Sequence, residues 1–316
     1  MTRPRGGHID FALTEYRLIA PAIPHQPSSP QQSSRRYRDD APPAAAPPAI
    51  QLPQTLARPV FTDVSREALT AVAPQLVAVP TDFIRRYLHT NASQLQAGIA
   101  ALAPSHLPQS IPTSDLPRTL TVPLLATSTA HPSYPTHVLA ITAASSSNPR
   151  SEPARLFPVH DIVLAAHCTK LPPLTPAQPG LRSPANLPVL LFSLPSPQAF
   201  TILHPYMYTH RLDAALAALL PLPPAFLETL APGLSGETPH AHVAAALSSR
   251  SALHTLAAHL VASAGGSLSA LMTHAGHVKE LWEDMVALGL YDTELWDALD
   301  LVWEVILGSH RSISSA

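Results

Sequence analysis

Proline constrains this chain more than any other residue. There are 37 prolines in 316 residues, against 11 glycines. Each one locks its own φ and removes a backbone donor, so helices are interrupted and many joins are extended. The rest of the composition still permits a core, because 46% of the residues are hydrophobic. The length allows one or two domains. Only 13% of residues are charged and the formal net charge is −2, so there is no global basic field to hold nucleic acid. The single cysteine, Cys168, has no partner for an internal disulfide, which fits a reducing compartment. Met1–Asp10 is polar and lacks the apolar stretch of a secretory signal. Proline or histidine breaks every apolar run short of about 18 residues, so no membrane span is expected. These features together predict an intracellular protein, nuclear or cytoplasmic.

Along the chain, residues 1–58 read as a disordered Pro/Ala/Ser-rich tail carrying a short basic cluster, Arg35-Arg36-Tyr37-Arg38. Order is expected from about Pro59, with helices and a Pro-rich linker over 59–117. Thr62 or Asp63 is a candidate cap for a helix through Val72. A second helix opens at Pro80-Thr81-Asp82, with Phe83, Ile84, Tyr87 and Leu88 as its apolar face, and continues or restarts through Leu95 and Ile99. Ala103–Pro117, with four prolines, reads as linker. Strands are expected at Leu120–Leu125, His137–Thr142, Arg155–Val159 and Val189–Leu194. A helix over His160–Cys168 interrupts them, and Leu171–Leu187 reads as irregular. Ser196-Pro197 reads as the cap and first position of a helix that carries Phe200, Leu203 and Met207 and is kinked at Pro205, followed by a short helix over Asp213–Leu220. Residues 225–311 read as all helix, with segments near His240–Leu247, Ala252–Ala264, Leu268–Leu288 and Asp292–Leu307. Gly289 and Gly308 are read as stops and Asp292 as a cap.

Two blocks in this stretch resemble BTB/POZ domains. Phe157–Cys168 is similar to the corner where a His opens a helix reading Leu-Ala-Ala. His160 matches the His, Leu164-Ala165-Ala166 the helix core, and Cys168 a small residue. Phe200–Leu212 resembles a later element of the same fold, with matches at Phe200, Leu203, Tyr206, Tyr208, Thr209 and Leu212. His210 stands where that pattern has Gly. The acidic element of cullin-binding adaptors has no counterpart, since no Asp or Glu lies between Cys168 and Asp213. The resemblance implies an α+β fold with a BTB/POZ-like core at 118–224 and a helical C-terminal region at 225–311. Residues 59–310 also resemble the clampless proteins of basidiomycete fungi. That resemblance is carried by Pro59-Val60-Phe61, Phe157–Cys168, Tyr206–Thr209, Leu281-Trp282, Ala287–Asp292 and Leu295–Asp300. It implies a regulator of sexual development that binds transcription regulators and has no enzymatic activity.

Candidate chemistry is sparse. The closest histidine pairs are His240/His242 and His274/His277, but zinc wants three or four ligands, usually with Cys, and no second Cys exists. No metal or cofactor is therefore expected. A divergent hydrolase would have to use Cys168 or Ser235. The sequence Gly233-Leu234-Ser235-Gly236 lacks the spacing of a nucleophile elbow, and free Cys is ordinarily a small buried residue. Trp282, Trp296 and Trp303 fall at multiples of seven, a spacing that suits core packing as well as a docking groove. Around them charge is nearly all acidic. Glu280, Glu283, Asp284, Trp296, Asp297, Asp300, Trp303 and Glu304 are the candidate partner-binding residues, a set suited to basic protein partners and not to DNA. The function expected is a regulatory protein–protein interaction module. A hydrolase and a self-assembling BTB-like scaffold, homodimeric in its simplest form, are the other two readings.

Overall fold

The computed structural model of the chain describes residues 52–129, 131–144, 152–172, 174, 184–231, 238–290 and 292–315. The basic cluster at 35–38, most of the tail and Ser235 lie outside the described residues. Helix α1 (Arg66–Val72) is capped by Ser65, whose hydroxyl accepts the Ala68 N–H. Thr62 and Asp63, the expected caps, are not used. Asp63 instead accepts the Val64 N–H at 2.8 Å and faces Arg85 at 3.4 Å.

Helix α2 (Thr81–Thr90) starts behind Pro80 as expected, and the chain restarts as α3 (Ala92–Ala100) after Asn91. Its inward face is corrected by the structure. Thr81, Ile84 and Leu88 are buried, whereas Phe83 and Tyr87 are 59% and 60% exposed. Residues 83 and 87 lie one step around the helix from 84 and 88, and only the second row is covered.

The five-stranded sheet has the order β1-β4-β3-β5-β2. Its strands are β1 (Ser110–Pro112), β2 (Thr119–Val122), β3 (His137–Ala143), β4 (Pro153–Val159) and β5 (Ala185–Leu194). Strand β1 lies within the expected linker. Pro112 is tolerated there because β1 is an edge strand. Strands β3 and β4 form an antiparallel pair in which Leu139 faces Phe157. Helix α4 (Asp161–His167) then leads toward β5, which serves two partners. Val189–Leu194 runs parallel to β3, while Ala185–Pro188 pairs antiparallel with β2. The last residues of the segment expected to be irregular are thus strand. His137–Thr142 is buried throughout because both faces of β3 are covered. Leu139 and Ile141 point into the main core, and Val138 and Ala140 into a smaller one with Leu102, Val122 and Leu156.

The remainder is helical: α5 (Phe200–Thr209), α6 (Leu212–Leu219), α7 (Pro224–Thr229), α8 (Pro239–Ser248), α9 (Arg250–Ser263), α10 (Leu268–Leu288) and α11 (Thr293–Ser314). Helix α10 ends on Gly289 at φ +63°, and Asp292 caps α11 through the Leu295 N–H, both as expected. Gly308 does not stop α11. A Cβ there would lie 3.2 Å from the Ala257 Cβ, and the neighbouring Ser309 hydroxyl reaches the Ala257 carbonyl at 3.1 Å. The glycine lets α11 approach α9 closely instead of ending the helix. Among the described residues no single helix is long and apolar enough to cross a membrane.

Candidate functional site

Helix α11 buries Leu295, Trp296, Leu299, Val302 and Ile306 in the core. Asp297, Asp300 and Glu304 fall at i, i+3 and i+7, so they share one side. That side is covered by a stretch the sequence assigned to the tail. Leu52–Arg58, without regular structure, lies across α11 and α10 as a strap. The Trp303 indole N–H donates to the Pro53 carbonyl at 3.1 Å, and the Trp282 indole N–H donates to that of Ala57 at 2.9 Å. Leu56 is buried and Leu52 half-buried. Arg58 bridges two carboxylates one turn apart. Its Nη2 stands 2.6 Å from Asp297 Oδ1, and its Nε donates to Asp300 Oδ2 at 3.0 Å. From α8, His240 Nε2 reaches Asp297 Oδ2 at 2.5 Å. Burial alone would push the Asp297 carboxyl up, but His240 and Arg58 hold it below the usual carboxylate range. Beside the strap an open cavity of about 400 Å³ is lined by Gln54, Leu56, Leu247, Trp303 and Glu304, among others.

The eight candidate residues therefore separate. Asp297, Asp300 and Trp303 come together beneath the strap, and Glu304 lines the cavity beside it. Glu280 and Asp284 hold the turn after β5, accepting the Ser196 hydroxyl at 3.0 Å and the Ser196 N–H at 2.8 Å. Glu283 pairs with Lys279 at 2.6 Å on α10. Asp284 and Trp296 are fully buried, which removes both from any partner surface. Sequence reasoning passed over Arg58. The signal present was Leu52 and Leu56 with an Arg two residues later, in a stretch otherwise read as featureless.

The corner around His160 is a closed network. His160 Nε2 lies 2.9 Å from the Ser133 carbonyl, which can only accept, so the proton is on Nε2. Nδ1 is then the acceptor for the Tyr208 hydroxyl at 3.1 Å, and that oxygen accepts the His160 backbone N–H. Burial drops the His160 pKa to about 4, which keeps the ring neutral. Cys168 sits with its sulfur 3.9 Å from Met207 Sδ. Burial pushes its thiol up to about 12 although Arg85 acts in the other direction, so it offers no thiolate at neutral pH. Among the described residues no group of three or more His, Cys, Asp or Glu could hold a metal ion. His240 is taken up by Asp297, and His274 lies 3.3 Å from the Leu219 carbonyl.

A second cluster joins the two halves. Asp292, at the start of α11, accepts the Tyr206 hydroxyl at 3.2 Å and stands 3.3 Å from His210 Nδ1. The rings of His89 and His167 lie tilted against His210 at centroid distances of 5.1 and 5.4 Å.

A family model of the Clampless protein 1 N-terminal domain matches residues 59–195, which carry α1 through β5. A model of the Clampless protein 1 C-terminal domain matches residues 213–314, which carry α6 through α11. The chain belongs to the clampless family. Helix α5 lies between the two clampless domains, and its Tyr206, with His210 beyond its end, reaches across to Asp292 in the second. The strap precedes both matches. No curated protein and no solved structure matches the chain.

Proposed function

We propose that this clampless-family chain is a non-enzymatic regulatory interaction module that acts in fungal sexual development, in the nucleus or cytoplasm, by binding transcription regulators. One observation carries the interaction reading. The acidic side of α11, with the adjoining Trp282 of α10, already holds an irregular segment that ends in an arginine, Leu52–Arg58, through two indole donors and two carboxylates. A surface that seats such a segment is suited to basic protein partners. Cys168, as a buried thiol, weighs against the hydrolase reading.

A BTB/POZ-like core is part of the proposal. The β3–β4 pair leads into the His160-led α4, β5 returns parallel to β3, and Phe200, Leu203, Tyr206 and Tyr208 of α5 are all buried. His210 takes the left-handed conformation, at the position where that pattern has Gly.

The test is affinity purification with mass spectrometry from mating cells. Deleting α10 and α11 would remove much of the core, so the informative variant is Asp297→Asn/Asp300→Asn. Wild-type chain is expected to recover transcription regulators, and the variant about tenfold less of them, equivalent to about 1.4 kcal/mol of binding. Equal recovery by the variant would move the partner surface off α11. Recovery of no transcription regulator would overturn the partner class.

A further inference from the structure

We propose that Leu52–Arg58 is a built-in pseudo-ligand. It occupies a site on α10 and α11 for an extended partner segment carrying a leucine-like residue two positions before an arginine, and partner binding displaces it. The inference rests on the interaction reading above and adds the chemistry of the partner.

The strap defines what the site recognises. Two indoles bind main-chain carbonyls, those of Pro53 and Ala57, so these contacts accept any side chain. Selectivity falls to Leu56, the one buried strap residue, and to Arg58, shared between Asp297 and Asp300. Residues at i and i+2 point the same way only in an extended chain, while in a helix they diverge. The site therefore selects an extended segment over a helical one, and in the strap Pro59 biases Arg58 to extended backbone.

The strap is also built to leave. Among the described residues its hydrogen bonds are the two indole contacts and those of Arg58, and it joins no helix or sheet. Pro53, Gln54, Thr55 and Ala57 are exposed. Its removal would uncover Asp297 and Asp300 beside Glu304, with His240 facing Asp297 from α8, a concentration of acidic side chains that attracts a basic replacement.

The experiment uses the full chain and a fluorescently labelled peptide of residues 50–60, read by anisotropy. Arg58→Glu, and Leu56→Asp/Arg58→Glu as a stronger version, are made in the intact protein. Hydrogen exchange over 52–58 reports whether the strap has left, and thermal melts report folding. The released variants are expected to bind the peptide at least about tenfold more tightly than wild type, a difference of about 1.4 kcal/mol. The peptide with Ala at position 58, and released variants also carrying Asp297→Asn/Asp300→Asn, should not bind. Should the double variant fail to fold, Arg58→Gln, which removes only the ion pair, replaces it. A released strap with no peptide binding overturns the inference, as does wild type binding equally well, or a strap that stays protected in every variant. Peptide binding without recovery of any transcription regulator leaves this inference standing and overturns the partner class proposed above.

Discussion

His210 ends α5 in the left-handed region, at φ 48° and ψ 32°. For a residue with a Cβ this conformation costs about 1–2 kcal/mol. The side chain offsets it, with Nδ1 beside the Asp292 carboxylate and the ring among those of His89, His167 and Tyr206. Burial pushes the Asp292 carboxyl up, and the His210 contact reverses that, holding it below the usual range. His210→Ala keeps the backbone strain and loses the side-chain contacts, so it is expected to lose about 1–3 kcal/mol in urea unfolding. His210→Gly loses the same contacts but relieves the strain, and should fall between the alanine variant and wild type. If the alanine variant is as stable as wild type, the Asp292 contact contributes nothing.

At the scale of elements, two glycines in helices make opposite predictions. Gly98 lies in α3, where a Cβ would stand 1.6 Å from the Ser133 carbonyl oxygen. That same carbonyl accepts the His160 Nε2–H, so the close approach of α3 supports the corner that starts α4. Gly98→Ala must push Ser133 away. A loss above about 2 kcal/mol is expected, with a shift of the His160 ring signals in NMR. Gly276, inside α10, has nothing within 4 Å of its would-be Cβ. Gly276→Ala should therefore stabilise by about 0.5–1 kcal/mol through helix propensity alone. A pair of thermal melts separates the two cases.

For the molecule as a whole, buried ionisable groups set the response to pH. Burial lowers His160 and His204 to about 4 and His167 to about 3, from an ordinary 6.5. The folded chain refuses protons that the unfolded chain takes up. This contribution is complete above pH 6.5 and is lost as pH falls toward about 4. Asp284 acts in the opposite sense. Burial, aided by Glu280 and Glu283, raises it to about 7 from 3.8. Its contribution is complete below pH 3.8 and is lost as pH rises through about 7. Asp161 and Glu294, also raised by burial, act with Asp284, while His89, Asp292 and Asp297, all lowered, act with the three histidines, so acid is the destabilising direction. Urea midpoints are expected to be lower at pH 5 than at pH 7. Asp284→Asn keeps an acceptor for the Ser196 N–H but cannot ionise, so it should steepen that dependence. A variant with an unchanged pH slope would show that Asp284 does not titrate in this range.

The starts of α2 and α11 and the end of α10 were legible in the residues because their signals are local. Pro80 and Thr81 open α2, Gly289 closes α10 and Asp292 caps α11, each through hydrogen bonds that reach no further than about four residues along the chain. The strand at His137–Thr142 and the helix carrying Phe200, Leu203 and Met207 were legible in the same way, from residue type and spacing. The sequence alone could not decide which row of α2 faces inward or whether Gly308 ends a helix or admits one. Nor could it decide that Ala185–Pro188 pairs with β2, or that Trp296 is core while Trp303 meets the strap. Each of these depends on which distant element covers a surface. An Arg in a Pro-rich tail carries no sign of two aspartates some 240 positions away. The acidic side of α11 was visible in the spacing of its charges, but that the chain covers it with its own Leu52–Arg58 was decided only by tertiary packing. Burial and charge pairing are properties of the partner surface as much as of the residue.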